Sequence, residues 1–419
     1  MSANNRKILV IGGGMSGLTA ALEAAESGAQ VIITEKEPYL GGRVAQLHRY
    51  FPKLCPPACG LEINFRRIRE NPNISFYTMA DVTQVSGTAG NFDVTVVVRP
   101  RLVNDRCVCC DACAEACPEW RVNDFNYGLD KTKAAYLPYD MAFPAKYVID
   151  ASVCKGDCGQ KCAEACQYEA IDLNMQPQTL NFQVGSIILA GGWDLYDIAK
   201  ADNLGYGTVK NVITNMQMER LAAANGPTGG KIQRPSDSQP PKKVAFVQCA
   251  GSRDENHLPH CSYICCMASL KQTTYLREQD PEAEAYVFYI DLRTPGRYEQ
   301  FMWKVRDDEG VQLIRGKVAK VEQEAGTNNV VVTFEHTLNG GKTKMTFDMV
   351  VLAVGMAPST KAKPFPMPLS YTPEGFVIPE LLPEGIVAVG SMKSPLDVMK
   401  SNEDATGAAL KSLISLSRR

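Results

Sequence analysis

The sequence predicts an α/β protein of two dinucleotide-binding units, with a small cysteine-rich domain inserted into the first unit. Three observations lead to this prediction. An apolar run at residues 7–11 meets a glycine-rich turn and then a helical pattern at residues 15–27. A second alternation of strand and helix patterns begins near residue 244. Between them, nine of the 15 cysteines lie from Cys107 to Cys166, in a segment that interrupts a series of short strand patterns.

The composition excludes several classes of function. The 44 Lys and Arg residues are balanced by 46 Asp and Glu residues, so the chain has no basic field that would favour nucleic acid. The most apolar stretches, residues 184–192 and 349–354, are far shorter than the ~18 residues that a membrane span needs. Residues 1–7 resemble neither a secretory signal nor a myristoylation signal. We therefore expect a cytoplasmic protein without nucleic-acid partners or direct membrane insertion.

The strand and helix patterns give an order of domains along the 419 residues. Strands are expected at residues 7–11 and 30–34 around the first helix, and a meander of short strands at 74–98. The cysteine-dense segment then interrupts a hairpin. The predicted boundaries are 1–103 for the first part of a dinucleotide-binding domain, 104–175 for the inserted domain, 176–240 for the continuation of the first domain with a Pro-, Gly- and Ser-rich linker, 241–357 for a second Rossmann-like domain, and 358–419 for the C-terminal part of the first domain.

The glycine turn Gly12-x-Gly14-x-x-Gly17 has the context of a dinucleotide site. It lies between a strand and a helix, and Glu35 ends the next strand, where a carboxylate can accept the ribose hydroxyls. A glycine turn without a nucleotide is the alternative. Gly42 and Arg43 follow in a Gly-Gly-Arg sequence that resembles the extended signature of flavoproteins with two dinucleotide domains, which favours FAD over NAD.

A second flavin segment is expected at residues 387–390, ahead of a C-terminal helix at about 397–415. Ser391 stands where an Asp often holds the ribityl chain, so the ribityl contacts are left open. The predicted cofactor-binding residues are Gly12, Gly14, Met15, Ser16, Gly17, Glu35, Lys36, Gly42, Arg43, Val82 and Gly390.

The second α/β unit has lost most of a nucleotide motif. Its strand at residues 244–247 leads into Gln248-Cys249-Ala250-Gly251, with one glycine where three are expected. We therefore predict that NAD(P)H does not reduce the flavin directly.

Two runs of cysteines predict iron–sulfur clusters. Cys107, Cys110, Cys113 and Cys117-Pro118 match the bacterial ferredoxin run, in which the fourth thiolate ligates the other cluster. By that cross-over, the first [4Fe–4S] cluster takes Cys107, Cys110, Cys113 and Cys166. The second takes Cys154, Cys158, Cys162 and Cys117, although its three-residue gaps depart from the usual spacing. Zinc is the alternative, and separated CxxC pairs would be more typical of it.

The other cysteines carry weaker signals. Cys249, Cys261, Cys265 and Cys266 follow no generic ligand spacing, so a third cluster and simple buried thiols are both open. Cys55 and Cys59 are either a redox pair, ligands or structural turn residues. Cys109 is expected to pack without a ligand role. His257 and His260 lie beside the third set, and we expect both to be solvated loop residues; the alternative is that they tune a cluster by hydrogen bonding.

These residues together resemble the A subunit of heterodisulfide reductase. The resemblance rests on the flavin turn, the Glu35 to Arg43 segment, the stretch from Phe51 to Cys59, the inserted ferredoxin domain, and the segment from Val247 to Met267. It implies a thioredoxin-reductase-like fold with a ferredoxin-like insertion. It also implies that the third cysteine set holds a [4Fe–4S] cluster next to the flavin.

The chain lacks the extra terminal cluster domains of the methanogen subunits, and this short form resembles QmoA. QmoA is a component of the quinone-interacting membrane-bound oxidoreductase of sulfate-reducing bacteria. That resemblance implies an electron-transfer subunit, inactive without partners, that connects a membrane quinone module (menaquinone) to a cytoplasmic reductase of sulfate reduction. The implied partners are a second flavin/iron–sulfur subunit, together with a membrane quinone-binding subunit, which would attach the chain peripherally to the inner membrane. The alternatives are a thioredoxin-reductase-like disulfide reductase and a soluble bifurcating heterodisulfide reductase subunit.

Overall fold

A computed structural model describes residues 6–154, 156–337 and 340–417. Residues 1–5, on which the targeting prediction partly rests, lie outside the described residues. The chain divides into two compact units. The first unit contains residues 1–193, 358–394 and 398–419, and the second contains residues 194–357 and 395–397.

The elements follow one another in chain order. The helices are α1 (Met15–Glu26), α2 (Pro57–Glu70), α3 (Ala112–Ala116), α4 (Gly156–Ala165), α5 (Asn215–Ala222), α6 (Cys265–Gln279), α7 (Tyr298–Arg306) and α8 (Val398–Ser417). The strands are β1 (Lys7–Ile11), β2 (Gln30–Glu35), β3 (Ile74–Thr78), β4 (Ala80–Thr88), β5 (Asn91–Val98), β6 (Trp120–Val122), β7 (Lys131–Lys133), β8 (Ala135–Tyr136), β9 (Val148–Ile149), β10 (Gln178–Val184), β11 (Ser186–Leu189), β12 (Trp193–Leu195), β13 (Val212–Thr214), β14 (Lys243–Ala250), β15 (Glu284–Tyr289), β16 (Val311–Gln323), β17 (Val330–His336), β18 (Lys342–Phe347), β19 (Met349–Val354), β20 (Met356–Pro358) and β21 (Ile386–Ala388).

The first unit is built on a five-stranded sheet in the order β21-β11-β1-β2-β3. All four strand pairs are parallel. Because a parallel sheet is covered on both faces, its strands read as continuous apolar runs, and Ile8, Leu9 and Val10 of β1 are fully buried. Helix α8 packs against α1 and the sheet. The C-terminal helix therefore belongs to the first unit.

A smaller antiparallel sheet in the order β10-β5-β4 also belongs to the first unit. Strand β5 pairs with β10 from Phe92 opposite Val184 to Val98 opposite Gln178. The cysteine-dense segment thus leaves one strand of this pair and re-enters at its neighbour. Strand β3, which the sequence assigned to the meander, pairs instead with β2 in the parallel sheet.

The inserted segment has a core of its own. Two strand pairs, β6 with β7 and β8 with β9, accompany α3 and α4. The side chains of Cys113, Cys117 and Cys162 are buried in an apolar cluster with Val103 and Ile149. Cysteine side chains therefore form part of this small core, so a ligand that they hold would also support the fold.

The second unit has a seven-stranded sheet in the order β13-β19-β14-β15-β16-β17-β18. Strands β17 and β18 are antiparallel, and the others pair in parallel. The structure differs from the predicted domain boundary here, because residues 194–240 belong to this unit and not to the flavin-binding domain. The reason is that β13 pairs with β19. The predicted linker at residues 225–243 is a loop of turns held by its own hydrogen bonds, such as Arg234 to Asp237.

Among the described residues, no helix combines the length and the apolar character that crossing a bilayer would require.

Candidate functional site

The turn between β1 and α1 is too tight for side chains. A Cβ atom on Gly12 would lie 2.2 Å from the carbonyl oxygen of Ala190, and one on Gly17 would lie 1.9 Å from that of Gly12. No side chain in the described part of the chain caps the start of α1 at Gly14. Backbone N–H groups of the first helical turn are therefore available to an anionic ligand such as a pyrophosphate.

A second glycine loop lies directly against this turn. Gly41 donates its N–H to the carbonyl of Gly13 at 2.8 Å, and a Cβ on Gly42 would lie 2.9 Å from the Cα of Gly14. Two backbones approach each other here without intervening side chains. The pair forms a narrow cradle that fits the elongated phosphate region of a dinucleotide.

Glu35 closes one side of this cradle at the end of β2. Its carboxylate accepts the N–H of Gly13 at 2.6 Å and that of Glu37 at 2.9 Å. Burial raises the pKa of Glu35 to about 7, although the two backbone hydrogen bonds oppose the shift. The acceptor predicted for ribose hydroxyls is therefore in place beside the glycine turn.

Arg43 is held by two aromatic residues of the first unit. Its guanidinium lies 5.1 Å from the ring centroid of Trp193. Its Nε donates to the Trp193 carbonyl at 2.6 Å, and a terminal nitrogen donates to the hydroxyl of Tyr127 at 3.1 Å. Tyr127 belongs to the inserted segment, so Arg43 connects the predicted flavin site to the cysteine-rich domain, a contact that its sequence motif did not reveal.

The second flavin segment meets the first at Gly390. A Cβ there would lie 2.3 Å from the hydroxyl oxygen of Ser16. The carboxylate of Asp404, on α8, accepts the N–H of Gly390 at 2.7 Å and pairs with Lys393 at 2.6 Å. The structure thus supplies a carboxylate next to the position where Ser391 replaced the expected Asp. No sequence motif marks Asp404, because it lies on the following helix.

The remaining predicted flavin residues differ in exposure. Met15 and Ser16 are half-buried at the start of α1, Val82 is half-buried in β4, and Lys36 is exposed. Met15 and Ser16 adjoin the glycine turn in sequence, whereas Val82 belongs to the antiparallel sheet, so these residues stay predictions.

The ligands predicted for the first cluster come together around one pocket. Cys107, Cys110, Cys113 and Cys166 all line it, and Val108 and Tyr168 are among its other walls. Burial raises the pKa of Cys113 to about 12, with the neighbouring thiols of Cys107 and Cys162 adding to the shift. Buried thiols with raised pKa values become stable thiolates only when a cation balances them, so a metal cluster fits this donor set.

The second set is also grouped, and it includes the predicted cross-over ligand. The sulfur atoms of Cys154 and Cys158 are 3.9 Å apart. Burial raises the pKa of Cys162 to about 12, and the thiol of Cys117 is the next largest influence. Within residues 6–154, 156–337 and 340–417, no group of three or more His, Cys, Asp or Glu side chains is arranged to hold a single metal ion.

The third set lies in the second unit and has an unusual loop. Cys249, Gly251, Arg253 and Tyr263 all have a left-handed backbone, with φ between 56° and 73°, and α6 begins at Cys265. The pKa of Cys265 is raised well above its ordinary value by complete burial, and the thiols of Cys249, Cys266 and Cys261 add to that effect. The four irregularly spaced cysteines are therefore near neighbours, and the two interpretations that the sequence left open, a third cluster and buried thiols, both stay predictions.

Gln248 precedes this loop and has an unpaired amide. It is 7% exposed, and neither its nitrogen nor its oxygen has a hydrogen-bond partner among the residues that the structure describes. Such a group is costly unless a ligand completes it. Residues 251–264 separate β14 from α6, so no glycine turn joins this strand directly to a helix.

The weaker candidates have ordinary partners. Burial raises the pKa of Tyr50, and the thiols of Cys55, to which it is hydrogen-bonded, and Cys59 add to the shift. His257 is hydrogen-bonded to the hydroxyl of Tyr196 at 2.9 Å, and His260 is hydrogen-bonded to the carbonyl of Met356 at 2.9 Å. Both histidines lie in the loop between β14 and α6, as predicted, but they are half-buried and hydrogen-bonded, and thus not solvated.

The sequence is similar to known proteins along nearly its full length. It is 40% identical to an iron-sulfur A subunit, the one numbered 2, of CoB–CoM heterodisulfide reductase from Methanopyrus kandleri, over 98% of this chain and 64% of that protein. It is 38% identical to the iron-sulfur A subunit of CoB–CoM heterodisulfide reductase from Methanocaldococcus jannaschii, over 97% of this chain and 63% of that protein. The chain thus spans slightly less than two thirds of these curated relatives.

The fold is similar to that of solved flavoproteins. Thioredoxin reductase from Lactococcus lactis has a TM-score of 0.52 and 12% identity, with 99% of each chain covered. Thioredoxin reductase from T. acidophilum has a TM-score of 0.52 and 13% identity, covering 99% of this chain and 98% of that one. These likenesses confirm the predicted α/β fold class. Residues 7–53 match the family described as FAD dependent oxidoreductase.

The chain is therefore a homologue of the A subunit of heterodisulfide reductase, and its residues 7–53 carry the segment typical of FAD dependent oxidoreductases.

Proposed function

We propose that the chain binds FAD in the glycine cradle, holds three [4Fe–4S] clusters, and acts as an electron-transfer subunit of a larger oxidoreductase complex. The chemistry that a bound flavin supplies is the exchange of electrons in pairs or singly, whereas each cubane exchanges one at a time. The chain would thus convert between two-electron and one-electron transfer.

The observation that carries this proposal is the joining of the flavin cradle and the cysteine-rich domain within one unit. Tyr39, next to the cradle, makes edge contacts with Phe125 and Tyr139 of the inserted segment at ring-centroid distances of 5.6 and 5.3 Å. Phe65 of α2 stacks on Phe143 at 5.0 Å. An apolar, packed boundary of this kind excludes water and keeps the two regions at a fixed separation.

The residues of the cradle would bind the cofactor in complementary ways. Gly12, Gly14 and Gly17 would let the pyrophosphate of the cofactor come close to the backbone. The carboxylate of Glu35 now accepts the N–H of Gly13 and would instead accept the ribose hydroxyls. Asp404 orients the N–H of Gly390. Arg43, fixed by Trp193 and Tyr127, would place a positive charge beside the cofactor and the inserted domain.

The proposed cluster ligands are those of the sequence analysis. They are Cys107, Cys110, Cys113 and Cys166 for the first cluster, Cys117, Cys154, Cys158 and Cys162 for the second, and Cys249, Cys261, Cys265 and Cys266 for the third. The shared pocket supports the first set, the influence of Cys117 on Cys162 supports the second, and the converging thiols beside Gln248 support the third.

Quantitation of flavin, iron and acid-labile sulfide after oxygen-free purification tests the proposal. We expect one FAD and three cubanes per chain. A protein with two cubanes would remove the third set from the proposal, and a colourless or zinc-containing protein would overturn it. A Cys265→Ser variant that loses one cubane would assign the third set directly.

For the role within a complex, we propose that the chain transfers electrons between a membrane quinone module and a cytoplasmic reductase of sulfate reduction. Its partners would be a second flavin/iron–sulfur subunit and a quinone-binding membrane subunit. The quinone-binding subunit would attach the chain peripherally to the inner membrane. The resemblance to QmoA supports this role. The alternative is a place in a CoB–CoM heterodisulfide reductase, which the names of the curated relatives support.

The two roles differ in the reductant and in the partners. The native complex should be isolated through a tag on this chain, and its flavin bleaching followed with a menaquinol analogue and, separately, with thiols of the CoB and CoM type. Bleaching by the quinol with a membrane protein in the complex supports the first role. Bleaching by the thiols alone supports the second.

A further inference from the structure

Arg101 is a buried cation at the base of the inserted domain. It follows β5 by three residues and is 8% exposed. Its backbone carbonyl accepts the N–H of Ile149 at 3.2 Å, which places it at the point where the chain enters the cysteine-rich domain. Its guanidinium therefore lies where the flavin-binding region meets the first cysteine set.

The guanidinium joins the two regions through neutral oxygen atoms. On the flavin side it donates to the carbonyl of Pro38 and to the hydroxyl of Thr78, the latter at 2.9 Å. On the cysteine side it donates to the carbonyls of Lys146 at 3.1 Å and Tyr147 at 3.4 Å. These bonds satisfy its donors without neutralising its charge.

No carboxylate balances this charge within the part of the chain that the structure describes. Burial lowers the pKa of Arg101 to about 10, and the groups that counteract burial are Tyr136, Cys107 and Cys109. The guanidinium therefore remains protonated at neutral pH. A buried cation with no anionic partner is unfavourable, so its surroundings need a negative charge from another source.

A cubane held by four thiolates is an anion, and its negative charge grows by one when it is reduced. The reduction potential of such a cluster depends on nearby charges, hydrogen bonds and exposure. Tyr147, whose carbonyl accepts a hydrogen bond from Arg101, lines the same pocket as Cys107 and the other three cysteines of the first set. The buried cation and the proposed anion would thus compensate each other.

We propose that Arg101 is the counter-charge of the cluster held by Cys107, Cys110, Cys113 and Cys166, and that it makes this cluster easier to reduce. This inference rests on the proposed function, since it requires the first cluster. It assigns Arg101 an electrostatic role in addition to its hydrogen bonds between the two regions.

Beside the second set, Arg121 is an arginine whose charge is balanced by carboxylates. Arg121 pairs with Asp150 at 2.8 Å and with Asp124 at 2.6 Å, and the carbonyl of Asp150 accepts the N–H of Cys154. Two carboxylates therefore neutralise Arg121.

The test is an EPR-monitored redox titration of the full chain, purified without oxygen and with iron and sulfide quantified. Arg101→Gln removes the charge, whereas Arg101→Lys keeps it. Arg106→Gln is the matched control, because Arg106 precedes Cys107 in the chain but is 63% exposed and paired with Glu169. The signal that disappears in Cys110→Ser identifies the first cluster.

We expect Arg101→Gln to lower the ratio of reduced to oxidised first cluster by roughly tenfold at a fixed potential, which is about 59 mV for a one-electron couple. In Arg101→Lys and Arg106→Gln this ratio should stay within about twofold of the wild-type ratio. Arg101→Lys keeps the positive charge, and the charge of Arg106 is already screened by solvent. The other clusters serve as internal references and should not shift.

Each other outcome has a definite meaning. A wild-type chain without iron would overturn the proposed function and this inference together. Normal iron in Arg101→Gln with an unchanged potential would overturn this inference alone. Equal loss of iron in Arg101→Gln and Arg101→Lys, with Arg106→Gln intact, would show that Arg101 only supports the fold and would also overturn the inference.

Discussion

Replacement of Gly17 by Ala should damage the flavin cradle although alanine favours helices. In a helix, Gly→Ala ordinarily stabilises by up to about 1 kcal/mol. At Gly17, however, the new Cβ would lie 1.9 Å from the carbonyl oxygen of Gly12, a backbone atom, where real Cβ atoms keep at least 3.0 Å. The turn must therefore open by about 1 Å, and overpacking of this kind costs about 1–3 kcal/mol.

The consequence for the cofactor follows from the position of the clash. The carbonyl that must move belongs to the turn that would hold the pyrophosphate, so we expect FAD affinity to fall by roughly 5- to 150-fold, the equivalent of about 1–3 kcal/mol. The measurement is flavin occupancy and calorimetric FAD titration of the flavin-depleted chain. Near-normal folding, checked by circular dichroism, would separate this effect from unfolding.

Gly407→Ala is the matched control, because it is the same substitution in helix α8 of the same unit. A Cβ at Gly407 meets no atom within 4 Å, so we expect unchanged FAD affinity and a stability gain of up to about 1 kcal/mol. Wild-type affinity in Gly17→Ala would refute the assignment of the turn to the cofactor.

Three further predictions concern charge and ligands. Burial raises the pKa of the Glu35 carboxyl from 4.5 to about 7 in the folded chain. The folded state therefore keeps a proton that the unfolded state loses. We expect the free energy of unfolding of the flavin-free chain to fall as the pH rises from about 4.5 to 7. Glu35→Gln should remove this loss, up to about 3 kcal/mol at pH 8, in denaturant unfolding. Cys110→Ser should abolish one cubane by iron quantitation, whereas Cys109→Ser should retain it. Lys271→Met should lower the free energy of unfolding by about 3–5 kcal/mol, because it leaves the buried carboxylate of Glu219, 3.1 Å from the amine, without its cation.

Each of these has its own control. Equal pH profiles for Glu35→Gln and the wild type would contradict the protonated carboxyl. Loss of iron in Cys109→Ser equal to that in Cys110→Ser would contradict the ligand assignment. Adding Glu219→Gln to Lys271→Met should recover most of the lost stability, since the amide keeps a carbonyl acceptor for Gln272. Failure to recover would show that packing, and not charge, is what Lys271 contributes.

Local patterns predicted the first βαβ segment well. The apolar run of β1, the glycine turn and the helical spacing of α1 lie close together in sequence, and the observed bounds Lys7–Ile11 and Met15–Glu26 agree with the prediction. Glu35 could be placed because it ends a strand that pairs with β1. The grouping of cysteines indicated ligand sets for the same reason, since most members are a few residues apart.

Features that depend on distant contacts could not be predicted in this way. The strand β13 belongs to the second unit because it pairs with β19, more than 130 residues later. Strand β16 was missed because polar and charged residues alternate along much of its length, as is typical of a strand with one solvated face. Arg101 and Asp404 lack a motif, and their importance comes only from the carbonyls, hydroxyl and N–H that the fold brings to them.

The pairing of β5 with β10 has a consequence for how such a molecule could arise. A segment whose two ends lie at neighbouring strands can be inserted between them without changing how the strands of the surrounding unit pair. Here, however, Phe125 and Phe143 of that segment have become part of the apolar core around Tyr39 and Phe65. Deleting the inserted segment would therefore leave a cavity in the core of its host unit, and we expect the host to be destabilised without it.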